Sequence, residues 1–239
     1  METAVITGGS RGIGAETVRA FCRAGYRVAF FYHASREAAM ALAVETGAVA
    51  LACDVGDSGQ AARACEEARR MLGHVDVLAA CAGIAQQKLL PDITDQDWER
   101  MLSVNLSGAF YVARSLLPGM ISRKSGRIVF LSSMWGQVGA SMEVHYSAAK
   151  AGVIGLTKAL AKEVAPSGIR VNCVAPGAIA TEMTTALGED ALERLRDEIP
   201  LGRLGTAGEV ASLILWLCSR EAAYLTGQVL SPNGGLVMG

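Results

Sequence analysis

The sequence predicts an α/β protein: one domain built on a doubly wound parallel sheet with helices on both faces. Three observations predict it. Short apolar runs of strand length alternate with helical patterns along the whole chain, the signature of β-α-β units. The turns after successive runs carry glycine or small polar residues, as at Gly8–Gly14, Cys81–Gly83 and Pro176-Gly177. Of the 239 residues, 51% are hydrophobic but only 5% aromatic, with 27 glycines, a composition suited to helices packed closely on a buried sheet.

In order, Thr3–Thr7 reads as a buried strand leading through Gly8–Gly14 into a helix that ends near Ala24. Arg27–Tyr32 is a second strand, and Ser35 can cap the helix that runs to Thr46. Ala48–Cys53 and Val75–Ala80 are strands on either side of a helix opened by Asp57 or Ser58. Thr94-Asp95-Gln96-Asp97 is a helix start with an acid at the third position, and the helix should reach Arg123 with an interruption at Pro118. Arg127–Leu131 is the next strand, followed by a helix to Val164 that Pro166 and Gly168 stop. Ile169–Val174 is a strand, residues 180–198 a short helical segment, Thr206–Ser219 a helix and Gln228–Ser231 a last strand. In such a sheet ligands bind at the carboxyl ends of the strands, so Gly8–Gly14, Asp54, Cys81–Gly83, Ser133 and Pro176-Gly177 should line one edge.

The formal net charge of −1 gives no field for nucleic acid or an anionic membrane. No run of eighteen apolar residues and no signal-peptide pattern is present, so the expected location is the cytoplasm. The six cysteines are scattered without a CxxC pair and read as buried, reduced side chains; no metal site is expected.

Two stretches carry chemistry. Thr7-Gly8-x3-Gly12-x-Gly14 lies between the first strand and the first helix, where glycines allow a tight turn, close approach of a pyrophosphate and helix–strand packing. This makes the sheet Rossmann-type. Tyr146 and Lys150 are four residues apart on one helical face. A nearby ammonium favours the phenolate, so the lysine is expected to lower the tyrosine's pKa for acid–base work.

With Ser133 thirteen residues before Tyr146, and the Pro176-Gly177 step after the sixth strand, these motifs resemble the short-chain dehydrogenase/reductases over nearly the whole chain. Val171–Gly177, Leu201–Gly205, Leu225–Gly227 and Asn233–Gly235 are similar to the 3-oxoacyl-acyl-carrier-protein reductase branch. Ser133–Gly136 and Glu143–Tyr146 resemble reductases of the 5-aminopentanone group on elongation factor P. The resemblance implies a ketoreductase. In it Tyr146 protonates the carbonyl oxygen, Lys150 lowers the tyrosine's pKa and bonds the nicotinamide ribose, Ser133 polarises the carbonyl, and Asn105 holds a water that links Lys150 to solvent.

It implies a cofactor site of Gly8, Ser10, Arg11, Gly12, Ile13, Gly14, Tyr32, His33, Ser35, Arg36, Asp54, Val55, Cys81, Ala82, Gly83, Tyr146, Lys150, Pro176, Gly177, Ile179 and Thr181. Asp54 accepts from the adenine amino group or caps the next helix. Where relatives have Asn-Asn-Ala-Gly this chain has Ala80-Cys81-Ala82-Gly83, which puts the support of the neighbouring strands in question. No acid stands at the end of the second strand before Glu37, while Arg11 and Arg36 suit a 2′-phosphate, so the expected cofactor is NADP(H). Substrate contacts are assigned to Ser133, Trp135, Glu143, Tyr146 and Met183, with an apolar lid around 178–200 that includes Leu187. Glu143 either faces the substrate or points to solvent and caps the helix. Arg123, Lys124 and Arg127 either dock an acidic acyl carrier protein or form a solvated helix end. Elongation factor P is the alternative partner, a catalytically idle cofactor-binding scaffold the alternative role, and a homotetramer the expected assembly.

Overall fold

The computed structural model describes residues 1–185 and 188–238; the side chains of residues 183, 185 and 189–191 are not among those described. β1 (Thr3–Thr7), buried along its length, runs through the glycine turn into α1 (Gly12–Arg23). β2 (Arg27–Tyr32), α2 (Arg36–Thr46), β3 (Val49–Ala52), α3 (Ser58–Leu72) and β4 (Val77–Ala80) come close to the boundaries the apolar runs predict. α4 (Asp95–Leu102) starts at a complete capping box: the Thr94 hydroxyl accepts from the Asp97 N–H, and the Asp97 carboxylate accepts from the Thr94 N–H, each at 3.1 Å.

The long helix expected from there to Arg123 is divided, but not at Pro118. A π turn at Ser103–Ser107 separates α4 from α5 (Gly108–Arg123), and Pro118 lies inside α5. Proline removes one ladder bond, which this sixteen-residue helix sustains. The π turn inserts a residue and rotates α5 relative to α4, and it carries Asn105 in a buried position.

β5 (Gly126–Leu131), α6 (Trp135–Val138), α7 (Val144–Val164) and β6 (Ile169–Val174) complete the central part. Next come β7 (Ile179–Ala180), α8 (Glu182–Thr185), α9 (Glu189–Glu198), β8 (Gly205–Thr206), α10 (Ala207–Leu217) and β9 (Val229–Leu230). The two-residue strands β7 and β8 pair in parallel, Ile179 with Gly205 and Ala180 with Thr206, so the excursion between them leaves and rejoins the body at one point.

The main sheet is parallel throughout, in the order β3-β2-β1-β4-β5-β6-β9. One face packs on α3, α5 and α7 through Phe31, Leu78 and Phe130; the other packs on α1, α2 and α10 through Ile6, Val28 and Phe30. Burial on both faces is why these strands read as continuous apolar runs rather than alternating ones. The order reverses between β1 and β4, and a cleft opens there at the carboxyl ends of the strands.

Candidate active site

The cleft has a volume of about 570 Å³ and spans the reversal point. All the residues expected to bind the cofactor line it except Arg36, which is exposed on the first turn of α2. Met183 has its backbone in α8, but its side chain lies outside the described residues, as does Leu187 altogether.

The end of the cleft at the glycine turn is made of backbone. Gly8 has a φ of +67°, and a Cβ there would stand 2.7 Å from the Ala82 Cα. A Cβ on Gly14 would stand 2.0 Å from the Gly8 carbonyl oxygen. Arg11 is the cap residue before α1, and its side chain makes no capping hydrogen bond, so the first N–H groups of the helix face the turn without a side-chain acceptor. Bare glycines and open helical N–H groups make a cradle that fits a pyrophosphate. Ser35, expected to cap α2, sits at the cap position without a side-chain cap bond and lines the cleft instead. Arg11 reaches across the mouth to Glu182 of α8 at 3.7 Å.

The replacement of the usual amides at Ala80-Cys81 leaves the β4 pairings intact, with Ala80 in register beside Thr7 and Phe130. Support comes from neighbours. The Thr7 hydroxyl accepts from the Ala82 N–H at 3.0 Å. Asn105 donates to the Ile84 carbonyl at 3.0 Å and accepts from the Ile84 N–H at 3.3 Å. Its third partner is the Met101 carbonyl, at 3.1 Å. Gly83 keeps this end narrow: a Cβ there would lie 2.8 Å from Asn105 Oδ1 and 3.3 Å from Lys150 Nζ.

The other end of the cleft is made of side chains: Ser132, Ser133 and Lys150 are buried and Tyr146 is partly exposed. Ser132 and Ser133 close β5 with opposite duties. Ser132 turns inward and donates to the Lys150 carbonyl at 2.8 Å, while Ser133 faces Tyr146 and accepts from the Trp135 N–H at 3.2 Å. Lys150 is 3% exposed, and its ammonium donates to the Leu131 carbonyl at 2.9 Å. It stands 5.6 Å from the centre of the Tyr146 ring. Loss of water pushes the Lys150 amine down to about 8, against the milder opposing pull of the Cys173 and Cys81 thiols.

The expected lowering of the Tyr146 pKa is not what the protein's own groups produce. Burial pushes the phenol up to about 12; the Ser133 hydroxyl pulls it down and the Glu143 carboxylate raises it further. Lys150 is engaged with a carbonyl and lies against the ring, so desolvation wins.

Trp135 and Glu143 do not line the cleft. Glu143 is the cap residue of α7 but makes no side-chain cap bond; it is half-buried, and burial raises its carboxyl despite a hydrogen bond from Gln87 at 3.4 Å. Nor are Arg123 and Arg127 a free basic patch. Arg123 donates to the Val75 carbonyl at 2.5 Å, and Arg127 to Glu2 at 2.5 Å and the Cys218 carbonyl at 3.1 Å. They lie at the amino ends of the strands, opposite the cleft. Sequence reasoning missed Arg100, which lines the cleft from α4 and bonds Asp54 across a separation of 46 residues. Among the described residues there is no cluster of metal-ligating side chains and no helix long and apolar enough to cross a membrane.

A dinucleotide cradle at the reversal point, with a partly exposed tyrosine and a buried lysine at its far end, defines an oxidoreductase that works with a nicotinamide cofactor. Residues 8–237 match the sequence profile described as Enoyl-(Acyl carrier protein) reductase, and the chain belongs to that short-chain dehydrogenase/reductase family. It is 42% identical to an acetoacetyl-CoA reductase of Shinella zoogloeoides, over 97% of this chain and 97% of that protein. An acetoacetyl-CoA reductase of Rhizobium meliloti is 43% identical over the same shares. A 3-oxoacyl-[acyl-carrier-protein] reductase of Staphylococcus aureus is 39% identical over 99% of this chain and 98% of its own length.

Proposed function

We propose that this protein is an NADPH-dependent ketoreductase that converts a 3-oxoacyl thioester to its 3-hydroxy form. The observation that carries the reading is the Ser133–Tyr146 pair facing the cleft above buried Lys150, in a chain similar to acetoacetyl-CoA and 3-oxoacyl-[acyl-carrier-protein] reductases. When bound, the reduced nicotinamide supplies the hydride. Ser133 and Tyr146 hold the carbonyl oxygen. A phenol pushed up to about 12 carries its proton at neutral pH, so Tyr146 is ready to protonate the developing alkoxide. Lys150, down at about 8 and next to the ring, binds the ribose hydroxyls and resupplies that proton, with Asn105 organising the path to solvent. Arg11 at the mouth, and the lack of an acid at the end of β2, support NADP(H) over NAD(H). The thioester is carried on coenzyme A or acyl carrier protein, the segment 178–200 closes over it, and the protein works as a cytoplasmic homotetramer.

Glu143 supports a second reading. A half-buried carboxylate that raises the Tyr146 phenol suits a ketone with an amine nearby, such as the 5-aminopentanone group on elongation factor P. The test monitors NADPH oxidation with acetoacetyl-CoA, crotonyl-CoA and modified elongation factor P. Turnover of acetoacetyl-CoA supports the main reading, and turnover of the elongation factor alone supports the second. Reduction of crotonyl-CoA alone would make the protein an enoyl reductase, and no turnover would leave an idle scaffold.

A further inference from the structure

At the adenine end, β2 and β3 finish side by side, with the Cys53 N–H donating to the Tyr32 carbonyl at 2.7 Å. The next residues, His33 and Asp54, face each other, with His33 Nε2 3.8 Å from Asp54 Oδ2. A 2′-phosphate held at the end of β2 would meet the field of the Asp54 carboxylate, which is 17% exposed and poorly screened. The two negative groups repel, unless the carboxylate is neutralised. Arg100 does this: Nη1 donates to Asp54 Oδ2 at 2.7 Å, while the Gly56 N–H bonds the other oxygen at 2.9 Å. Gly56 leaves room for the arginine, since a Cβ there would stand 3.0 Å from Arg100 Nη1. Burial pushes the Asp54 carboxyl up, but Arg100, Gly56 and His33 together hold it below its ordinary value, so it stays ionised and in need of a partner.

We propose that Arg100 determines the cofactor preference: by holding Asp54 it clears the end of β2 for a 2′-phosphate, and without it the exposed negative charge turns the site toward the dinucleotide that lacks one. The inference rests on the NADPH reading. It assigns to Arg100 an electrostatic task that Arg11, paired with Glu182 across the mouth, does not perform.

The experiment measures dissociation constants of NADPH, NADH, 2′,5′-ADP and 5′-AMP for the protein without added substrate, by calorimetry. Arg100→Gln should lower the NADPH-to-NADH affinity ratio about tenfold, as expected for an uncompensated carboxylate facing the end of β2. It should weaken 2′,5′-ADP by the same factor and leave 5′-AMP almost unaffected. Adding Asp54→Asn to Arg100→Gln should restore most of the ratio, because no charge remains to be masked, and Arg100→Lys should keep it. Gly56→Ala, which crowds the guanidinium without removing it, should shift the ratio in the same direction and covers the case in which Arg100→Gln folds poorly. Equal weakening of NADPH and NADH in Arg100→Gln would overturn the inference and leave Arg100 as an anchor for α4. A wild type that binds NADH as tightly as NADPH would overturn the NADPH reading, and the inference with it.

Discussion

The two ends of the cleft are built from different materials. The end at the glycine turn is backbone: Gly8 and Gly14 sit where any side chain would collide with the chain itself, and α1 offers its first N–H groups. The far end is side chains: Ser133 and Lys150, both buried, and Tyr146, partly exposed beside them, with few polar neighbours. A backbone site depends on shape and tolerates little variation in residue type. A side-chain site depends on how burial and neighbouring dipoles set each proton, and the same residues in another setting would titrate differently.

The two ends should therefore fail separately. Tyr146→Phe removes one proton donor without altering the cradle. Turnover of acetoacetyl-CoA should fall about 10²–10⁴-fold while the dissociation constant of NADPH stays close to wild type; an equal loss in both would mean that Tyr146 serves the cofactor site. Gly14→Ala does the reverse. Its Cβ meets the Gly8 carbonyl oxygen at 2.0 Å, so the turn must open, and NADPH affinity measured by calorimetry should drop by at least about tenfold.

Lys150→Met addresses stability. Burial takes the amine from its ordinary 10.5 down to about 8, so between those values the unfolded chain holds a proton that the folded one has released. Stability therefore rises with pH across that window, and the full penalty is present below it. Removing the amine should stabilise the protein at pH 7, by on the order of 1–3 kcal/mol after loss of the bond to Leu131, and flatten the rise between pH 8 and 10. Denaturant titrations of both proteins at several pH values measure it, and activity should be lost at the same time. The smallest effect is expected at Arg36, which lies outside the cleft: Arg36→Ala should change NADPH affinity by less than about twofold, whereas Arg11→Ala should lose a charge-assisted hydrogen bond and several times more affinity.

The backbone end was the more legible one in the sequence. Glycine spacing reports positions where a Cβ cannot fit, and apolar runs report strands buried on both faces, so the sheet, the turn after β1 and most of the residues that line the cleft could be read directly. The π turn at Ser103–Ser107 left no such mark, because Ser-Val-Asn-Leu-Ser suits an ordinary helix as well. β7 and β8 were missed because two paired residues have no periodicity. Arg100 and Asp54 lie 46 residues apart, and no local pattern in the sequence pairs them. Both serines line the cleft; that Ser133 is the one facing Tyr146 came from the family resemblance, whereas the direction of the Tyr146 pKa could not be read at all. Helical spacing brings Lys150 near the ring, and what then counts is the direction of its ammonium and the depth of the phenol.

That burial sets the protons at the side-chain end is tested most directly by titrating Tyr146 itself. The difference between the ultraviolet pH titrations of the wild type and Tyr146→Phe, both without cofactor, isolates this one phenol among the five tyrosines. If burial dominates, the difference signal shows no phenolate below pH 10 and a midpoint near 12. A midpoint at neutral pH would contradict it and return to Lys150 the task of ionising the tyrosine.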